Sequence, residues 1–312
     1  MNNMKTYILV ISTIIITAGL ACNQAMEPSP DISNLERLQE EYSEVGKQHN
    51  ESLDHVLESF DRVNNGKLTP VQVRRYALDN SRQKLKSYYE SPEVRTLAAE
   101  IHDREADRVI NPSPDSRLNA TGANQSYYAR TLELSGLAEP VKEYIIEIGK
   151  VIDSGQKPVE IENQIRDIVK EAEGELSDED FKTVFLAAEV GIASAHYWEE
   201  NGEKWLQKVE ELKGDENQGQ DLDQTPPHVM YRKSIIKSDM AGAVGGAIGS
   251  AITGCAQLTL GACAGVGAAA GGLSASAATA VQSYLDYIWE ADPVEYPDLN
   301  PQMRQVQSNT TQ

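Results

Sequence analysis

Aromatic side chains are scarce in this 312-residue chain, which holds three Phe, three Trp and thirteen Tyr. A buried core must therefore be built mainly from Leu, Ile, Val and Ala. Positive charge is short as well: 28 Lys and Arg stand against 48 Asp and Glu, leaving a formal charge of −20. Phosphate backbones are gripped by basic stripes, so this balance excludes nucleic acid as a partner. Unassisted docking on anionic lipid is disfavoured for the same reason. The acidic excess reads as a solvated surface. Three cysteines are too few for a disulfide scaffold, and their positions, 22, 255 and 263, lack metal-ligand spacing. No run of any length alternates at a period of two, which excludes a sheet and predicts an all-α class.

Catalytic signatures are missing too. There is no P-loop and no His-Glu-x-x-His. Gly265, Gly267 and Gly271 imitate a dinucleotide-binding turn, but no strand precedes them and no basic residue is near. His196 shares a helical turn with Glu199 and Glu200, yet a stable zinc site needs three or four ligands. His49 and His55, six apart, fall on different faces of one helix. His102-Asp103-Arg104-Glu105 reads as a solvated charged face. Ser194 and Ser274 sit among alanines with no histidine partner implied. No catalytic residue, no metal and no cofactor is expected.

Apolar residues three and four apart are abundant instead. Ser33 and Glu36 form a capping box ahead of Leu35, Leu38, Tyr42, Val45, His49, Leu53, Val56 and Phe60. Asn64-Asn65-Gly66 stops that pattern. Thr69-Pro70 and Ser91-Pro92 open two more helices, with Pro at the first helical position. A long loop is predicted from Asn111 to Gln125. Val141, Tyr144, Ile145, Ile148 and Ile152 form the next stripe, ended by Ser154-Gly155. Ile161, Ile165, Ile168 and Val169 follow. Ser177-Asp178-Glu179-Asp180 caps a helix carrying Phe181, Val184, Phe185, Ala188 and Ile192, and Trp205, Leu206, Val209 and Leu212 close the body.

The N-terminus joins Lys5 to a charge-free apolar stretch from Tyr7 to Ala21. That stretch falls short of the roughly 20 residues needed to span a bilayer and has the length of a signal-peptide core. It ends in Gly19-Leu20-Ala21-Cys22, where the chain resembles the bacterial lipoprotein signal with its lipobox cysteine. The resemblance implies cleavage before Cys22 and lipidation (palmitate included) of that residue. The membrane would then be a partner through this anchor, with Asn23 pointing to the outer membrane. Export to an oxidising compartment would leave Cys255 and Cys263 able to form a disulfide. On one straight helix they would lie about 12 Å apart, so bonding needs a chain reversal between them. Two free buried thiols are the alternative.

The C-terminal third is dominated by glycine and small residues. No charge occurs from Met240 to Leu285. Gly242, Gly246, Ser250 and Gly254 recur every four residues, as do Gly245, Gly249 and Thr253. On a helix such rows make a smooth face that admits another backbone. Each interior Gly costs about 1 kcal/mol relative to Ala, so roughly ten of them approach the whole stability of a domain. Something must pack on that face. Gly242, Gly245, Gly246 and Gly249 are the residues predicted to make the close approach.

From Ser238 to Gly249 the segment resembles the glycine zippers of class II bacteriocins. That likeness implies a hairpin able to self-associate or enter membranes. The organisation expected is a signal peptide over 1–21, a tether over 22–32 and a helical domain over 33–213. An acidic linker over 214–233, a Gly/Ala-rich helical hairpin over 234–289 and a disordered tail over 290–312 follow. The function expected is a non-enzymatic envelope lipoprotein whose hairpin packs or self-associates, possible partners being another copy or an envelope protein. A bacteriocin-like membrane-active antagonist is the alternative.

Overall fold

Short polar caps set where the helices begin. In the computed structural model, Ser33 Oγ accepts from Glu36 N at 3.1 Å while Glu36 Oε2 accepts from Ser33 N at 3.3 Å, opening α1 (Asn34–Tyr42). Thr69 and Gln72 form the same reciprocal box, at 3.3 and 2.8 Å, ahead of Pro70. Ser91 and Ser177 cap through Val94 N and Asp180 N. Each satisfies donors that a helix start would otherwise leave without partners. Gly155 ends a helix with φ +72°, in the left-handed region that glycine enters without strain.

The structure describes residues 33–63, 67–111, 127–213, 227–252 and 260–289. The helices after α1 are α2 (Val45–Phe60), α3 (Pro70–Ser87), α4 (Pro92–Ile110), α5 (Tyr127–Leu134), α6 (Glu139–Asp153) and α7 (Pro158–Glu175). Then come α8 (Asp178–Lys213), α9 (Pro227–Ile252) and α10 (Leu260–Trp289). No strand occurs among the described residues, so the class is all-α. Contacts divide the chain into two units after Arg37. Everything from Leu38 onward, α9 and α10 included, belongs to one of them.

Four features differ from the sequence reading. The apolar stripe from Leu35 to Phe60, expected as one helix, is broken by a turn at Ser43–Glu44 into α1 and α2. The residues from Asp178 to Lys213 form one continuous helix, which at 36 residues is about 54 Å long. Gly191 and Gly202 lie within it without breaking it, because the surrounding helices bury both. Helix α9 begins at Pro227, inside the stretch expected as linker. Helix α5 had no counterpart in the periodicity, since eight residues barely exceed two turns. The stop signal at Asn64–Gly66, residues 112–125 of the expected loop, residues 214–226 of the linker, the signal peptide, the tether and the tail lie outside the described residues.

Helix α10 occupies the middle of the larger unit, packed against α2, α3, α4, α8 and α9. Its buried residues, among them Leu273, Ala277, Ala278, Val281, Tyr284 and Leu285, surround the helix rather than line one stripe. A helix apolar on every side belongs in a core or a bilayer. Cys263–Trp289 is long and apolar enough to cross a membrane by length and composition, and 83% of its most apolar window is buried.

The α9–α10 contact is made by backbone. Gly242 lies on Gly271, and Gly246 on Gly267, so the two helices run antiparallel. A Cβ added at either α9 position would collide with the carbonyl oxygen opposite. The reverse holds for Gly267 and Gly271 against Gly246 and Gly242. Side chains of any size would force the helices apart and forfeit dispersion contacts along both.

Gly246→Ala is therefore expected to lower stability by about 3 kcal/mol, the upper end of overpacking. Gly174→Ala, at an exposed position of α7 with open space around it, is expected to raise it by about 0.5–1 kcal/mol. Urea unfolding followed by circular dichroism separates the two; shifts of the same sign would mean the backbone contact is not limiting.

Candidate functional site

Polar chemistry inside the larger unit concentrates at two places, one on α9 and one on α4. The first is Asp239, the last charged residue before the uncharged stretch. It is fully buried where α2, α8, α9 and α10 meet. Its Oδ2 accepts from Ser276 Oγ at 2.9 Å, from Trp198 Nε1 at 3.3 Å and from Ser194 Oγ. His49 Nε2 stands 3.5 Å from the same oxygen, also fully buried, while His49 Nδ1 lies 2.9 Å from Asn50 Oδ1. Asn50 in turn donates to the Ala193 carbonyl at 3.1 Å. Oδ1 of Asp239 has no hydrogen-bond donor among the described residues. Burial drives the Asp239 carboxyl above its ordinary range, with His49, Ser194 and Ser276 pulling the other way.

The second centre is Glu105 on α4, fully buried beneath the other glycine row. Its carboxylate accepts from Arg108 Nη1 at 2.7 Å, Arg104 Nε at 2.9 Å and Tyr127 Oη at 2.8 Å. Gly245 lies against this carboxylate, and Gly249 against the Arg104 guanidinium. Arg104 Nη2 also reaches the Gly245 carbonyl at 3.4 Å. Desolvation, reinforced by the neighbouring Glu105 charge, holds the Tyr127 phenol well above its usual range.

All four glycines expected to make a close approach thus do so, but against two different neighbours. Gly242 and Gly246 meet the α10 backbone; Gly245 and Gly249 meet the side chains of α4. Gly267 and Gly271 of the apparent nucleotide-binding turn are spent on that same backbone contact, and Gly265 lies against the Tyr42 ring. Cys263 is buried in the first turns of α10, whereas Cys22 and Cys255 lie outside the described residues.

His102 to Glu105 needs correcting. His102 and Glu105 are buried, and only Asp103 and Arg104 reach solvent in part. The four consecutive residues necessarily point to different sides of α4, and two of those sides face helices. His102 Nε2 lies 2.7 Å from Ser81 Oγ, and its Nδ1 3.2 Å from Asp103 Oδ1. The order imitates a serine–histidine–aspartate relay. Ser81 is fully buried and donates to the Leu78 carbonyl, so no substrate carbonyl reaches it. Ser194 also acquires polar company that its alanine surroundings hid, namely Asp239.

The histidine–acid turn resolves differently from its sequence spacing. His196 turns to Glu162 on α7 at 2.9 Å, and Glu199 pairs with Arg232 on α9. Among the described residues no group of three or more His, Cys, Asp or Glu could hold a metal ion. An open cavity of about 300 Å³ lies beside Tyr42, Val45, Gln48 and Tyr89, away from both buried centres.

No family model matches the chain, and no curated protein and no solved structure matches it.

Glu105→Ala would leave the buried Tyr127 hydroxyl and the part-buried Arg104 guanidinium without their shared acceptor, at a cost of about 3 kcal/mol. Glu105→Gln keeps an acceptor for Tyr127 and is expected to cost about half as much. Equal losses for the two, measured by urea unfolding, would show that the negative charge, absent from both variants, carries the whole effect and that the retained acceptor contributes nothing.

Proposed function

We propose that this chain is a non-enzymatic lipoprotein of the bacterial envelope, held at the outer membrane by lipid on Cys22. In this reading the glycine-rich helices are the internal frame of the body the lipid carries. The observation that supports it most is where the smooth glycine faces point. One row is covered by α10 and the other by Arg104 and Glu105, so neither is presented outward for a bilayer or a second copy. Functional contacts with envelope partners then fall to the acidic amphipathic helices. A Cys255–Cys263 bridge belongs to this proposal, tying the two helices near their junction in an oxidising compartment.

A second reading rests on the length and hydropathy of Cys263–Trp289. In a membrane-active antagonist of bacteriocin type, α9 and α10 would leave the body and enter a bilayer. Leaving would expose Asp239 and strip Glu105 of its cover, and charge within the hydrocarbon is costly, about 2.5–3.5 kcal/mol for an aspartate at the centre of a membrane helix. That cost favours the first reading.

Cells fed labelled palmitate are expected to incorporate it into the wild-type chain and not into Cys22→Ser. Vesicles of mixed phosphatidylethanolamine and phosphatidylglycerol, loaded with dye, are expected to stay tight when the protein is added. An unlabelled wild-type chain would remove the anchor, and prompt leakage would install the second reading in place of the first. Alkylation followed by mass measurement, with and without reductant, reports the Cys255–Cys263 bridge.

A further inference from the structure

The Asp239 centre holds more polar chemistry than packing requires. Serines from α8 and α10, the Trp198 indole from α8 and the His49 imidazole from α2 all converge on one carboxylate oxygen of α9. Among the described residues, His49 is the ionisable group within ion-pair distance of Asp239, and neither side chain touches solvent. Gly272 of α10 lies against both, with the Asp239 carbonyl 3.3 Å and His49 Cδ2 3.7 Å from where its Cβ would stand.

Charge counting gives this cluster a direction. Protonated, the Asp239 carboxyl adds no charge to the core. Withdrawing that proton leaves a buried carboxylate. Among the described residues its Oδ1 has no donor to stabilise the added charge. Four helices meet there, so the strain falls on the seam between α9–α10 and the body.

We propose that the Asp239 carboxyl, set against His49, is a proton-operated lock on the glycine helix pair. While the carboxyl keeps its proton, α9 and α10 are fastened to α2 and α8; when the proton is withdrawn, the seam loosens. The sign agrees with the carboxyl's own tendency. A folded-state value raised above the unfolded one contributes stability that is fully present below the unfolded value, and it is lost as pH rises through the folded value. Acid closes the lock and alkali opens it. The lock stands independently of the lipid anchor, because it uses only residues of the folded body.

Asp239→Asn separates this device from the general repulsion of a chain bearing −20. Asparagine keeps an oxygen for Ser194, Trp198 and Ser276 and has no proton to lose. Urea unfolding of the full chain from pH 5 to pH 9 is expected to show the wild type losing ground to Asp239→Asn as pH rises. The ratio of their unfolding constants should change by up to tenfold per pH unit across the titration, the limit for one proton. Profiles that stay parallel within twofold would overturn the lock. Hydrogen exchange on the wild type gives a second test that needs no variant. After correction for intrinsic rates, α9 and α10 amides should lose protection with rising pH ahead of those in α7. Uniform loss across the three helices would refute the proposal.

Discussion

The contact between two glycine backbones, Gly242 on Gly271 and Gly246 on Gly267, is the constraint on which the rest of the architecture depends. It brings α9 and α10 closer than any side chain would permit. That proximity lets a 30-residue apolar helix sit among five others without leaving voids. The conformational cost of so many interior glycines is offset only in this assembled form. Neither helix would persist alone in water, so the pair and its surroundings must form together.

Backbone contact gives closeness but little orientation, because a smooth helix face can slide and rotate. Orientation comes from the polar groups. Asp239 gathers donors from α8 and α10, while Glu105 and Arg104 present a charged surface to Gly245 and Gly249. Tyr284 Oη donating to the Gly202 carbonyl at 3.2 Å and Arg74 donating to Gln282 tie the far end of α10 to α8 and α3. Each of these groups loses its water on folding and regains partners in one register only. Buried carboxylates are poor sources of stability, yet they discriminate strongly against a shifted packing.

Much of the outline could be read from residue order. The caps at Thr69, Ser91 and Ser177, the glycine stop at Gly155 and the stripe from Val141 to Ile152 all form as their spacing predicts. They are local, each depending on residues within a turn or two. The close-approach glycines were legible as well, since a four-residue repeat of small residues has few other uses on a helix. The polar centres were not. Asp239 ends a charged stretch and Glu105 belongs to a charged run, and both positions look solvated until the facing helix is known. A cue existed in the glycine spacing itself: the second row, Gly245 and Gly249, left room for a bulky partner.

Residue order by itself determined the all-α class, the ends of most helices, the acidic surface and the glycine faces, because these follow from propensity, capping and periodicity over short range. Only the tertiary structure decided that α10 is central, that one glycine row meets backbone while the other meets Arg104 and Glu105, and that His49 faces Asp239 across 190 positions of chain. Periodicity states which face of a helix needs cover. What covers it depends on how the described helices of the larger unit close-pack, and that is settled by shape and by the pairing of buried charge across that unit.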